Sequence, residues 1–333
     1  MNTRNLRFRS NRMRDIIALY HEELDALYGS GEVGVFIEML CDEYLGWDRV
    51  RLLLNKEQTI DQSDLLRFHW ALEDLLRHRP IQHIVGHTDF CGCRIDVSPA
   101  VLIPRPETEE MVEWLGERLK VKGERYADAS KASPHPPFTF HLSPFTFLDL
   151  CTGSGCIAIA LKRAFPRAEV TAVDISREAL AVARRNAAQN NTEINFQQAD
   201  ILSDTFHLSP FTFHLIVSNP PYVLDSERAQ MAPNVLDYDP PQALFVPDSD
   251  PLHFYRAIAA IASRSLAPGG MLAVEINEAL ADQTAALLAD HGLTPTIHTD
   301  FRSRPRWIGA ELKWRQGVKE FKETRQYHQH NWY

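Results

Sequence analysis

The sequence is poor in the features that mark secreted, membrane-spanning and nucleic-acid-coating proteins. Its five cysteines include no Cys-x-x-Cys pair, which predicts neither a disulfide framework nor a zinc site, and we expect no bound metal. No apolar run is long enough to span a bilayer. The net charge of -9 argues against the broad basic surface that non-specific nucleic-acid binding uses. We therefore expect a cytoplasmic protein that binds neither membranes nor nucleic acids stably.

The chain does contain one unusual turn. A short apolar run, residues 215–218, predicts a buried parallel strand, and it is followed directly by Asn219, Pro220, Pro221 and Tyr222. The prolines lack backbone donors and fix φ, so the strand must end in a rigid turn. In open α/β sheets the ligand crevice lies at such strand ends. The turn is therefore a candidate site, although the four residues alone also fit an ordinary proline-rich turn.

These side chains suit the chemistry of an amide or ring-amino nitrogen, whose lone pair is delocalised and therefore weakly nucleophilic. The Asn219 side-chain oxygen and the Pro220 carbonyl can accept its two hydrogens, and the Tyr222 ring can stack on its π face. Positioning alone then aims the lone pair at an electrophilic carbon. We assign Asn219, Pro220 and Tyr222 as candidate catalytic residues, and Pro221 completes the substrate-binding turn.

A glycine loop lies further upstream. It joins a predicted strand at 147–150 to a predicted helix at 156–165, and it consists of Cys151, Thr152, Gly153, Ser154 and Gly155. A ligand can approach the backbone of such a loop, and the helix N-terminus behind it, closely. The next predicted strand ends at Asp174, where a carboxylate can accept from ribose hydroxyls. Strands and helices alternate, so we predict an α/β fold with a mostly parallel sheet.

Two cofactors fit this loop. Gly153-x-Gly155-x-x-Ala158 matches the dinucleotide fingerprint of a nicotinamide dehydrogenase. Three features favour S-adenosylmethionine instead. Asp149 in the preceding strand can bind a ligand ammonium, the loop lies in the middle of the chain, and the Asn219 turn has no role in hydride transfer. S-adenosylmethionine carries an ammonium, a ribose and the electrophilic methyl group that the turn needs. We expect S-adenosylmethionine as cofactor and S-adenosylhomocysteine as product.

The residues ahead of the sheet predict three smaller units. Residues 1–14 hold five arginines and no acid, which predicts a flexible basic arm; a targeting peptide or a true start at Met13 are the alternatives. Periodicity over 15–80 predicts a small helical domain whose last helix begins at Asp61 or Ser63 and ends before Pro80. Residues 81–105 predict a β-hairpin linker, and Arg105 at its end would touch a ligand carboxylate or be solvated.

The catalytic domain is predicted at 106–315, followed by a polar tail at 316–333. Within it we predict helices at 111–119 and 255–266, a loop at 121–137, a strand at 271–276, an irregular lid at 225–239 and an antiparallel final strand pair. The nine residues TFHLSPFTF occur twice, at 139–147 and 205–213, each ahead of a predicted strand. We interpret them as two insertions of one short element into surface loops.

Several motifs together resemble a known family. Residues 149–160, DLCTGSGCIAIA, resemble the first cofactor motif of class I methyltransferases, and residues 219–222 resemble their amino-nitrogen motif. VLIPRPETE at 101–109, with RPIQHIVG at 79–86, resembles the HemK/PrmC family of release factor glutamine methyltransferases. The segments at 237–240, 243–245 and 275–276 extend the resemblance, which covers residues 13–315.

The resemblance implies a Rossmann-like, mostly parallel seven-stranded methyltransferase sheet with a small N-terminal helical domain. It implies methyl transfer to the side-chain nitrogen of the glutamine in the Gly-Gly-Gln motif of peptide chain release factors, which the N-terminal helices would grip. We expect a monomer. Cofactor contacts carry over to the whole glycine loop and to Asp174, Asp200, Ile201 and Asn219.

Three positions depart from the family pattern. Cys151 stands where many members have glycine, Ile201 where an aromatic often faces adenine, and Asn277 where glycine is usual. We expect none of the three to touch the catalytic turn.

Three other readings stay open. A ribosomal-protein glutamine methyltransferase would have a different sequence after Ile-Pro-Arg. A DNA or RNA amino-methyltransferase would share the turn but should carry a basic recognition surface. A non-enzymatic scaffold that binds the cofactor and docks on translation factors would not need an intact Asn219 turn.

Overall fold

The computed structural model describes residues 8–132, 145–204, 206 and 212–312, with only the backbone described for 121–132. The polar tail, the first seven residues and most of the two nine-residue repeats lie outside these ranges. Among the described helices, none combines the length and apolarity needed to cross a membrane.

The N-terminal part is a bundle of five helices: α1 (Met13–Tyr28), α2 (Ser30–Leu45), α3 (Arg49–Leu54), α4 (Gln62–Leu76) and α5 (Ile81–Val85). Asp61 caps α4 by accepting from the Asp64 amide, as one of the two predicted caps. The helix ends at Leu76, four residues before the predicted stop at Pro80, which instead precedes α5. The predicted linker therefore begins with a helical turn.

The prediction of a flexible basic arm at 1–14 is wrong for residues 8–14. Met13 is fully buried as the first residue of α1, and Phe8 packs against the same core. Asn11 donates through Nδ2 to the Ile60 carbonyl at 2.7 Å, and Arg12 bridges Thr59. Residues 8–14 thus belong to the helical bundle because apolar and amide side chains, not only arginines, occupy this stretch.

A hairpin follows the bundle, as the alternation of residues 94–97 predicts. Strands β1 (His87–Phe90) and β2 (Cys93–Asp96) pair antiparallel. Next comes α6 (Pro106–Ala132), which runs well past the predicted end at residue 119. The prediction of a loop at 121–137 is wrong for residues 121–132, which are helical. Lysine, glutamate, arginine and alanine dominate that stretch and favour helix, and its first proline is Pro134.

The rest of the chain builds a seven-stranded sheet. Its strands are β3 (Thr146–Leu150), β4 (Glu169–Asp174), β5 (Asn195–Gln198), β6 (Phe213–Ser218), β9 (Leu266–Glu275), β10 (Leu293–Thr299) and β11 (Pro305–Leu312). The spatial order is β10-β11-β9-β6-β3-β4-β5. The five neighbouring strands from β9 to β5 pair parallel, while β11 lies antiparallel to both β9 and β10, as predicted for the final pair. The predicted fold class is confirmed.

Helices cover both faces of this sheet. They are α7 (Cys156–Ala164), α8 (Arg177–Gln189), α10 (His253–Ser265) and α11 (Ala281–Asp290), together with α6. Alternate residues of one strand enter opposite cores: Leu215 joins the core with α6 and α7, and Ile216 joins the core with α10 and α11. The sheet is therefore the middle of three layers, and its parallel strand ends meet at one edge.

Two further segments differ from or refine the prediction. Strand β9 begins at Leu266, directly after α10, so the Pro268-Gly269-Gly270 stretch lies within the strand and not in a loop. The ladder to β6 is irregular there, which accommodates the proline. The candidate lid contains a short 3-10 turn (Asp225–Gln230) and the one-turn helix α9 (Pro233–Leu236). Strands β7 (Val223–Leu224) and β8 (Phe245–Val246) pair beside it.

The two nine-residue repeats end side by side. Each leads into a strand, β3 or β6, and these strands are parallel neighbours, with Phe147 opposite Leu215. Thr146 donates through Oγ1 to the carbonyl of Thr212, its equivalent in the second copy, at 2.8 Å. The prediction that each copy precedes an apolar strand is confirmed, while the interior of both copies lies outside the described residues.

Candidate active site

A cavity of about 280 Å³ opens at the carboxyl ends of β3, β4 and β6. It collects the sequence-predicted cofactor residues: Cys151, Thr152, Gly153, Ser154, Asp174, Asp200, Ile201 and Asn219 all line it. Pro221 lines it as well. Gly155, Pro220 and Tyr222 are not among the lining residues. This placement follows from the topology, because parallel strands deliver their carboxyl ends to one edge.

The glycine loop is held in shape from the next strand. Asp174, at the end of β4, accepts from the Gly153 amide at 2.8 Å and from the Ser176 amide at 2.9 Å. Gly153 and Gly155 have φ of 54° and 82°, in the left-handed region. A Cβ on Gly155 would lie 3.1 Å from the Ala183 side chain, so the loop packs closely on α8. Burial raises the pKa of Asp174 despite its backbone donors.

Asp149 stands behind the loop and does not face the cavity. It is 1% exposed, and the Thr152 hydroxyl donates to its Oδ2 at 2.5 Å. Burial raises the pKa of Asp149 to about 7. Thr152, which donates to this carboxylate, does line the cavity. The expectation that Asp149 receives a ligand ammonium stays a prediction.

The Asn219 turn sits at the end of β6, opposite the glycine loop. Asn219 donates through Nδ2 to the Thr108 hydroxyl at 3.2 Å. The Tyr222 hydroxyl donates to Glu275 Oε1 at 2.8 Å, and this bond fixes the ring. Burial raises the pKa of Tyr222. Pro220 and Pro221 are both buried. The turn is thus rigid. Asn219 and Pro221 line the cavity, and of these two Asn219 has the polar side chain.

Three residues near the cavity carry contacts that sequence reasoning missed. Thr108, in the first turn of α6, is 2% exposed and lines the cavity. Glu275, at the end of β9, is 1% exposed and accepts from Thr108 Oγ1 at 2.5 Å. Phe254 on α10 adds an aromatic side chain to the lining. Thr108 and Glu275 lie inside motifs that carry the family resemblance, but only the fold shows that their side chains meet.

Arg105 has a partner that neither prediction anticipated. Its guanidinium meets the carboxylate of Asp239, which is completely buried, at 2.5 Å. The Tyr238 hydroxyl donates to the Arg77 carbonyl at the end of α4, at 2.9 Å. The end of the candidate lid is therefore fastened both to the residue before α6 and to the helical bundle, just before Pro240 reaches the cavity.

Comparison with known proteins places this geometry in a family. The family model described as "PrmC N-terminal domain" matches residues 22–86, and "Methyltransferase small domain" matches 140–238. The release factor glutamine methyltransferase of Flavobacterium psychrophilum is 38% identical over 88% of this chain and 96% of its own. That of Bacteroides thetaiotaomicron is 39% identical over 80% of this chain and 88% of its own. The chain belongs to the release factor glutamine methyltransferase family. This confirms the resemblance.

The chain is also similar to a solved structure, that of the release factor-specific protein-(glutamine-N5) methyltransferase from Alicyclobacillus acidocaldarius. The two sequences are 27% identical, and the match covers 66% of this chain and 99% of the solved chain, with a TM-score of 0.35.

Within the release factor glutamine methyltransferase family, the three departures of this chain can now be located. Cys151 adopts φ of 59°, so the backbone takes the left-handed form that glycine favours even with a Cβ. Ile201 lines the cavity together with Phe254, which supplies an aromatic surface there. Asn277 donates through Nδ2 to the Tyr222 carbonyl at 3.2 Å and to Glu227 at 2.9 Å. The expectation that no departure touches the turn is wrong for Asn277.

Proposed function

We propose that this protein transfers a methyl group from S-adenosylmethionine to the side-chain amide nitrogen of the glutamine in the Gly-Gly-Gln motif of peptide chain release factors. The observation that carries the proposal is the placement of Asn219. Its side chain shares one cavity with the glycine loop and Asp174, and its Nδ2 is engaged by Thr108. The amide oxygen is then the atom left to accept from a substrate.

The residues present fit the cofactor. Gly153 lines the cavity with φ of 54° and carries no side chain, so a ligand can approach the loop backbone closely at this point. Asp174 would accept hydrogen bonds from the ribose hydroxyls, and Ile201 and Phe254 would pack against the adenine base. When bound, S-adenosylmethionine supplies an electrophilic methyl group on a sulfonium and leaves as S-adenosylhomocysteine.

The protein's own part is orientation. The Asn219 side-chain oxygen and the Pro220 carbonyl would accept the two hydrogens of the target amide, and the Tyr222 ring would lie along its plane. Held this way, the nitrogen lone pair points at the incoming carbon, and the nitrogen afterwards gives up one hydrogen as a proton to water. As positive charge develops on nitrogen, both acceptors bind its hydrogens more strongly, which stabilises the transition state selectively.

Relatives named release factor glutamine methyltransferase support the substrate class. The net charge of -9 opposes a nucleic-acid substrate. We further propose that the helical bundle at 15–80 grips the release factor, since the residues that line the cavity all lie beyond it, and that the enzyme works in the cytoplasm.

The test is mass spectrometry of a purified release factor after incubation with the protein and S-adenosylmethionine. We expect the mass of one methyl group to be added at the Gly-Gly-Gln glutamine. A release factor with that glutamine changed to alanine is the matched substrate control and should stay unmodified. An unmodified wild-type release factor, or methyl transfer to DNA or RNA added in parallel, would overturn the proposal.

A further inference from the structure

A chain of hydrogen bonds lies behind the Asn219 turn. Asn219 Nδ2 is 3.2 Å from Thr108 Oγ1, and Thr108 Oγ1 is 2.5 Å from Glu275 Oε2. The Tyr222 hydroxyl is 2.8 Å from the other carboxylate oxygen, Oε1. Glu275 therefore accepts on both oxygens, and it is joined to both polar side chains of the turn.

The direction of these bonds is fixed by counting hydrogens. An ionised carboxylate only accepts, so Thr108 must donate its single hydroxyl hydrogen to Glu275. What Thr108 then offers to Asn219 is a lone pair, and the Asn219 amide must turn its NH2 toward it. We propose that Thr108 and Glu275 are positioning residues that set which way round the Asn219 amide lies, so that its oxygen faces the cavity. The value of that orientation for catalysis rests on the proposed function.

The fold brings these residues together from distant parts of the chain. Strands β6 and β9 are parallel neighbours with Ser218 opposite Val274, so Asn219 and Glu275 follow at adjacent strand ends. Thr108 reaches the same point from the first turn of α6, 167 residues before Glu275. Both Thr108 and Glu275 are buried, so water competes little for their bonds.

The network depends on the charge of Glu275. Burial raises its pKa to about 7; Glu107 raises it further, while Thr108, Tyr222 and Arg306 lower it. The Tyr255 hydroxyl also faces this strand end and donates to the Glu275 carbonyl. A protonated Glu275 has a hydrogen to donate to Thr108, whose own hydrogen would then turn to Asn219 and favour the flipped amide. Methyl transfer should therefore slow as the pH falls through about 7.

The kinetic test uses three variants and one control. Thr108→Val removes the hydroxyl at nearly constant volume and should lower the single-turnover rate about ten- to hundredfold, by analogy with the loss of a hydrogen-bond partner that orients a metal ligand. Thr108→Ser keeps the hydroxyl and should stay near the wild-type rate. Glu275→Gln removes the titrating group, so the fall in rate near pH 7 should disappear. Thr284→Val, a buried threonine on α11 with an unpaired hydroxyl, should change nothing. Cofactor affinity should be unchanged in all four.

A second readout does not depend on activity. With asparagine-selective ¹⁵N labelling, the Asn219 NH2 resonance is identified by its loss in Asn219→Ala. Thr108→Val should shift this resonance and speed its exchange with water, while Thr108→Ser and Thr284→Val should not. A wild-type rate in Thr108→Val with an unmoved resonance would overturn the inference.

The two proposals fail in different ways. If wild-type protein leaves the release factor unmodified, the proposed function fails, and the resonance still decides the amide orientation. If Thr108→Val does not fold, the pH profile of Glu275→Gln decides instead: a fall near pH 7 that persists in that variant contradicts the inference.

Discussion

Arg105 and Asp239 form an ion pair between residues 134 positions apart in the chain. The Asp239 side chain is completely buried, whereas that of Arg105 is 29% exposed. Burial raises the pKa of Asp239 and Arg105 lowers it, so the arginine is what keeps a carboxylate tolerable at this depth. The pair lies directly before Pro240, Gln242 and Ala243, which form part of the cavity wall.

Breaking this pair should destabilise the fold. Arg105→Met leaves Asp239 buried without its cation, and we expect a loss of about 3 kcal/mol, measured by denaturant unfolding. Arg256→Met removes the cation of an exposed pair, Arg256–Asp250, and should cost much less, because water solvates both charges. Equal losses in the two variants would show that the buried pair has no special weight.

Local pattern was enough to predict much of this molecule. The apolar runs of β3, β4 and β6, the glycine loop and the Asn219 turn are each contiguous in sequence, and periodicity or turn chemistry reveals them. The strand-end rule then predicts that Asp174 and Asn219 share a crevice, and both line the cavity. The residues next to each turn were enough to predict this crevice.

The contacts between segments could not be predicted in the same way. Thr108 and Glu275 are 167 residues apart, and nothing in either segment alone names the partner. Arg105 illustrates the same limit, since an arginine beside a helix start fits a ligand contact, a solvated side chain or an ion pair equally well. Helix length was also misjudged where prolines beyond residue 133 outweighed the helix-forming residues before them.

Asp174 should be needed for cofactor binding through two effects. It lines the cavity where we propose that the ribose binds, and it also accepts from the Gly153 amide of the loop. We expect Asp174→Ala to stay folded and to lose about 1.5–3 kcal/mol of S-adenosylmethionine affinity by calorimetry. Glu169→Ala, at the exposed opposite end of β4, is the matched control and should bind as wild type. Unchanged affinity in folded Asp174→Ala would contradict the ribose assignment.

Asp149 should make the stability of the protein depend on pH. Its folded pKa is raised from 3.8 to about 7, so its contribution is fully present below pH 3.8 and is lost as the pH rises to about 7. Asp149→Asn keeps an acceptor for Thr152 and removes the ionisation. We expect its free energy of unfolding to fall less than that of wild type between pH 4 and pH 8, whereas exposed Asp290→Asn should follow wild type.

The helical bundle should contribute to substrate affinity and not to chemistry. Leu66 and Trp70 lie one turn apart on α4 and are 43% and 58% exposed. If this face meets the release factor, changing both to serine should raise KM about tenfold or more, because a buried tryptophan often dominates an interface. Cofactor affinity should not change. Phe301→Ser, which removes a 75% exposed ring in the catalytic domain, should leave KM alone; equal effects would argue against docking on α4.

Asn219 itself gives the sharpest test, because its two substitutions separate hydrogen acceptance from charge. From the sequence alone, Asn219→Asp should retain more activity than Asn219→Ala, since it keeps an acceptor. The structure changes that expectation. The Thr108 hydroxyl already donates to Glu275, so an aspartate at 219 would face a lone pair with a second carboxylate beyond it. Only protonated aspartic acid can donate to Thr108 and still present a carbonyl oxygen to the substrate.

We therefore expect Asn219→Ala to lose about a hundred- to thousandfold in single-turnover rate, with cofactor affinity largely intact, because one fixed acceptor for the developing charge is gone. Asn219→Asp should be comparably slow at high pH and should gain activity as the pH falls and its carboxyl becomes protonated. Wild type should show the opposite slope near pH 7, where protonation of Glu275 disturbs the amide. Rates are measured with saturating cofactor and release factor at each pH. Parallel pH profiles for wild type and Asn219→Asp would contradict this role for the Thr108 bond, and near wild-type rates for both variants would place the chemistry elsewhere.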